Sequence, residues 1–115
     1  MKLSKPQFRA TIEFTFEEHD RSRRRMFIFG DDGVRWVPMK MDGVERLNSV
    51  GMRISNSGKF IKGDKIEVDC QLIWLEGYRN ILKPGVKFKL WDAGFFATGI
   101  VTKIFDTEKS STSSF

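Results

Sequence analysis

The stretch EEHDRSRRRMFIFG, Glu17 to Gly30, holds the only histidine of the chain, His19, together with Glu17, Glu18, Asp20 and four arginines. Paired carboxylates can act as acid and base in hydrolysis. Beside Arg21, Arg23, Arg24 and Arg25, however, these three acids read as a solvated loop whose charges offset one another. His19 could serve as base to a thiol nucleophile, and Cys70 is the only thiol in the sequence. Cys70 lies in mid-strand, in phase with core residues, so the pair does not read as a catalytic unit. The arginines themselves have three readings. Guanidinium groups match phosphate geometry, which suits RNA. They can also dock on an acidic protein surface, or sit solvated at the end of a strand.

Other chemistry is missing from the sequence. A phosphate-binding loop needs glycines, a lysine and a hydroxyl in fixed order before a helix, and no such order occurs. One histidine and one cysteine exclude the usual zinc spacings and any disulfide within the chain. The expectation is a protein without catalytic residues, cofactor or metal, in a reducing cytoplasm. Met1 to Ala10 has no apolar leader core, and no run is long and apolar enough for a membrane helix. A net charge of +5, from 20 basic and 15 acidic residues, suits RNA or an acidic protein but is also ordinary for a soluble domain.

Positioning falls to strands. At 115 residues the chain is the size of one domain, and its 40% hydrophobic content is enough for a core. In QFRATIEFTF, Phe8, Ala10, Ile12, Phe14 and Phe16 share one face, a half-buried strand. KIEVDCQLIWL repeats the pattern, with Ile66, Val68, Cys70, Leu72 and Trp74 pointing one way. VKFKLW turns Phe88 and Leu90 inward and Lys87 and Lys89 outward. FFATGIVTKIF is apolar or small on both faces in its first half, so it is expected to be covered on both. Ala97 and Gly99 leave room there for close approach of another group.

Turn signals fall at 30–33, 41–43, 56–58, 62–64, 83–85 and 92–94, and no stretch keeps a helical period. The spacing predicts an all-β fold, an antiparallel sandwich or barrel of roughly six or seven strands over 1–105, followed by a polar tail over 106–115. Trp36, Tyr78 and Trp91 lie at or beside predicted turns. They could stack on bases, anchor an interface or fill the barrel ends.

With the strands in place, the chain from Phe8 to Phe105 resembles the third domain, the C-terminal β-barrel, of bacterial elongation factor Tu. The resemblance rests on QFRATIEFTFEEHDRSRRRMFIFG, on KGDKIEVDCQLIWL, and on LKPGVKFKLWDAG followed by TGIVTKIF. It implies a single antiparallel β-barrel of about six strands, without the factor's GTPase domain and middle barrel, hence no GTP binding and no GTPase activity. In that family the barrel meets protein partners and the aminoacyl-tRNA stem. The resemblance matches Arg21, Arg23, Arg24 and Arg25 to the family's basic stretch and Arg35 loosely to its turn; with Trp36 and Phe95 these are the expected partner-binding residues on one face. The family's tyrosine-arginine-proline turn appears as GDDGVRWVP, with two intruding aspartates, and its glycine-glycine-arginine turn as DAGFF, with the arginine gone. Both departures weaken phosphate contact. The expected function is a cytoplasmic protein-interaction module, related to translation or of toxin-immunity type. The alternative is a tRNA or RNA-binding module that contacts phosphates through Arg21–Arg25.

Overall fold

Where polar and apolar residues alternate, the backbone extends, because only a period of two puts every apolar side chain on one face. The computed structural model describes residues 5–16, 26–54, 58–92 and 94–105. Its strands are β1 (Phe8–Phe14), β2 (Met26–Phe29), β3 (Val34–Met41), β4 (Asn48–Arg53), β5 (Gly58–Ile61), β6 (Lys65–Leu72), β7 (Lys87–Trp91) and β8 (Phe95–Ile104). A single 3-10 turn, Leu75–Tyr78, lies between β6 and β7. Six strands close an antiparallel barrel in the order β1-β6-β4-β3-β7-β8, with β8 pairing back onto β1. The expected barrel is therefore present. β2 and β5 stand apart as a two-stranded ribbon rather than rejoining the barrel sheet.

The interior is filled by the apolar rows read from the sequence. Phe8, Ala10, Ile12 and Phe14 of β1 face Val68, Cys70 and Leu72 of β6, and Phe88 and Leu90 of β7 face Ala97, Gly99 and Val101 of β8. Cys70 is fully buried, and that burial lifts its thiol well above the ordinary range, with the charge of Asp69 adding to the shift. Such a thiol stays protonated and inert, as its place in the strand suggested. β3 pairs with β7 only over Met39–Met41. Pro38, which has no N–H to donate, marks where that ladder stops.

Two details differ from simple alternation, one in β8 and one just beyond β6. The register shifts between Leu90 and Trp91, so that Phe96 becomes an extra residue opposite a single step of β7. Such a bulge re-aims a side chain. Phe96 and Ala97 are consequently both buried, which is how the first half of this strand comes to be covered on two sides. Trp74, expected to face the core with Leu72, is instead 51% exposed. The strand ends at Leu72, and beyond its end the period of two no longer governs direction.

Each mouth of the barrel is plugged. At one, Tyr78 is fully buried, and its hydroxyl accepts a 2.7 Å hydrogen bond from Asn48 Nδ2 at the start of β4. Of the three aromatics placed beside turns, this one fills a barrel end. The ribbon caps the other mouth.

Candidate site at the ribbon-capped end

The end of β1, the starts of β3, β6 and β8, and the ends of β4 and β7 all meet at the ribbon-capped mouth, because the six strands alternate in direction. In the ribbon Met26 faces Ile61, Phe27 faces Phe60, Ile28 faces Lys59 and Phe29 faces Gly58. Opposed residues share a face, so the ribbon is two-sided.

Its inner side is aromatic. Phe27 stacks on Phe96 at 4.8 Å between centroids and lies 5.6 Å from Phe14. Phe60 stacks on Phe14 at 5.4 Å, and Phe29 meets Phe27 edge-on at 5.3 Å. A two-stranded ribbon is marginal by itself in water. Here packing against Phe14 and Phe96 holds it. Its outer side carries Met26, Ile28 and Ile61, which are 40%, 47% and 56% exposed, with exposed Lys59 among them.

The ribbon's edges are blunted. Ile61 is bonded through both backbone groups to Asp64, whose Oδ2 accepts from its N–H at 2.9 Å and whose N–H donates to its carbonyl at 3.0 Å. On the other edge, the carbonyl of Ile28 accepts a 3.0 Å hydrogen bond from Arg35 Nη1. Arg35 also lies 3.5 Å from Asp92 Oδ2 and stacks with its Cζ 4.8 Å from the Phe27 centroid. One side chain thus ties β2, the aromatic cluster and the β7–β8 turn together. Its direction follows from strand phase, since Arg35 shares the inward row of β3 with Val37, Met39 and Met41.

Arg35→Met keeps the apolar stem and removes the three polar contacts. The expected loss is about 1 kcal/mol, because roughly a third of the side chain stays in water and screens the ion pair. Hydrogen exchange should quicken in β2 and β5 before the barrel strands. Equal quickening throughout would refute the clamp.

Of the residues singled out from the sequence, Arg35, Trp36 and Phe95 lie at this same end, at the starts of β3 and β8. Trp36 is half-buried on the outer row of β3, directly opposite Gly51. Phe95 is half-buried, with Lys89 Nζ 5.6 Å from its ring centroid. Arg21, Arg23, Arg24 and Arg25, with His19 and its neighbouring acids, lie outside the described residues, as does 106–115. The described residues that flank the arginine segment are Phe16 and Met26. Phe16 has φ +47, a left-handed conformation that is strained for an aromatic residue, and beside it the buried Thr15 hydroxyl has no hydrogen-bond partner among the described residues.

The outer ribbon face was missed in the sequence. Met26 and Ile28 alternate with Phe27 and Phe29, and a run apolar on both faces reads simply as core. Among the described residues no group of three or more histidine, cysteine or acidic side chains is placed to hold a metal, and no helix is long and apolar enough to cross a membrane. No protein-family model matches the chain, and a search of curated proteins finds no match to it.

Proposed function

We propose that this protein is a non-enzymatic docking module, similar to the third domain of elongation factor Tu, that engages a protein partner in the cytoplasm through the ribbon-capped end of its barrel. The observation that carries the reading is the outer ribbon face, where Met26, Ile28 and Ile61 stay exposed while the inner face is anchored by phenylalanines. An apolar surface held rigid before binding loses little conformational entropy on association. Arg21–Arg25 immediately precede Met26 in the sequence. Contact is with the face rather than by strand addition, since Arg35 and Asp64 occupy the ribbon edges. The partner belongs to translation, or to a toxin that exploits the factor.

The test is affinity capture from lysate followed by reconstitution of the binary complex from purified components. Ile28→Glu with Ile61→Glu is expected to weaken that complex at least tenfold with the thermal midpoint unchanged, since both side chains already face water. Undiminished affinity would remove the ribbon from the interface. The second reading, tRNA or RNA contact through Arg21–Arg25, is supported by the net charge of +5. It requires binding that strengthens steeply as salt falls. An absence of tRNA binding at low salt excludes it.

A further inference from the structure

Opposite charges meet at several places on the outer surface. Arg9 Nε donates to Asp69 at 2.9 Å, Arg53 reaches the same carboxylate at 3.5 Å, and Arg79 pairs with Glu76. Between β3 and β7 like charges meet instead. Lys40 of β3 and Lys89 of β7 are register partners, placed directly opposite each other on the outer face. Like charges at directly opposed positions destabilise a sheet. Lys87 stands two residues along β7 on the same face. Neither Lys40, Lys65 nor Lys87 has an ion pair with a described residue. Among the described residues, Lys40 Nζ reaches only the carbonyl of Met41, at 3.4 Å.

Beside this strip lies a surface groove of about 460 Å³. Lys87 and Lys89 form one wall and Lys65 of β6 the other, while Thr11, Thr98, Gly99 and Ile100 line it between them. With β8 and β1 lying between the walls, the lysine backbones stand about 14 Å apart at ordinary strand spacing, so their long side chains can converge on one ligand. The hydroxyls of Thr11 and Thr98 make no hydrogen bond with a described residue. Glu13, register partner of both Lys65 and Thr98, and Asp42, whose N–H donates to the Lys87 carbonyl, add two acceptors to the groove.

We infer that this groove binds a phosphate-bearing small molecule of nucleotide size. The phosphate lies at the β7 wall, where its negative charge offsets the repulsion between Lys40 and Lys89 and draws on Lys87. The threonine hydroxyls donate to the same group. The remainder of the ligand covers Ile100 and presents hydroxyl or amino donors to Glu13 and Asp42. The volume is within the range of small-molecule sites. This site is separate from the ribbon-capped end and stands independently of the docking reading.

The inference is tested by thermal shift and amide chemical-shift titration with inorganic phosphate, pyrophosphate and ADP, at constant ionic strength and against sodium chloride. The expected result is a rise in midpoint with pyrophosphate and ADP, accompanied by shifts in β7 and β8 amides. Lys87→Ala with Lys89→Ala should weaken ADP binding at least tenfold. Lys87→Gln with Lys89→Gln, which keeps most of the stems, should do the same. Lys40→Gln separates a site from a merely charged surface: it should leave the unliganded midpoint equal or higher, because it removes a repulsion, yet reduce the rise produced by ADP. No rise at matched ionic strength, or a rise that the lysine variants leave intact, overturns the inference. So does binding confined to a polynucleotide, which would assign the strip to nucleic acid.

Discussion

Gly99→Val is expected to lower the stability of the barrel sharply. Gly99 faces inward on β8, between its register partners Ile12 on β1 and Phe88 on β7. A Cβ there would fall inside van der Waals contact with three atoms at the tip of the Phe88 ring. That ring cannot swing away. It is 1% exposed and packs edge-on against Phe8 at 6.2 Å. Overpacking of this kind typically costs about 1–3 kcal/mol. Alanine should fall in that range and valine beyond it, against the ~5–15 kcal/mol that holds a domain folded. Denaturant unfolding of a double-mutant cycle gives the decisive measurement. Gly99→Ala should be much less harmful when combined with Phe88→Leu, because the shorter side chain vacates the contested space. If the two changes simply add, the glycine is there for another reason. The small residues of this strand, which hinted at close approach, thus admit a ring from within the same barrel.

Phe27→Ala is the second large effect, and its expected signature is different. Phe27 touches Phe96, Phe14 and Phe29 and carries the Arg35 guanidinium over its ring. Truncating a buried phenylalanine costs about 3–5 kcal/mol. The ribbon is tied to the barrel by this cluster and by a few turn bonds, such as Gly63 N–H to the Phe14 carbonyl at 2.7 Å. The loss should therefore be felt first as release of the ribbon, with β2 and β5 exchanging amide protons while β1, β6 and β8 remain protected. Parallel loss of protection in all strands would mean that cap and barrel unfold as one unit.

These two residues also mark what could be read in the sequence. β1, β6 and β7 were legible because each keeps one uninterrupted apolar row, Phe8 to Phe14, Val68 to Leu72, and Phe88 with Leu90. The ribbon was not. Met26–Phe29 is apolar on both faces and only four residues long, and Gly58–Ile61 is equally short and opens on a glycine. Neither run shows whether it joins the barrel or covers it. Trp74 misled because its phase was carried beyond the end of its strand. Arg35 was picked out as a surface residue, although its phase with Val37 and Met39 already turned it toward the mouth. The opposition of Lys40 and Lys89 depends on the register of two strands distant in sequence, which no local pattern encodes.

The barrel closes on its first and last strands, and this gives the fold a mechanical character. Phe8 is the register partner of Ile104, and the Phe105 N–H donates to the Gln7 carbonyl at 2.9 Å, so residues 5 and 105 leave the barrel beside each other at the Tyr78 mouth. Tension between those two points loads the β1–β8 seam from one end. Its hydrogen bonds, lying across an antiparallel pair, then give way in succession rather than all at once. The seam behaves as a zipper and not as a shear joint, yielding at low force. The tear travels from Phe8 toward Phe14 until it reaches the Phe96 carbonyl, which holds the N–H groups of both Thr15 and Phe16. The ribbon-capped end is the last part of the seam to open.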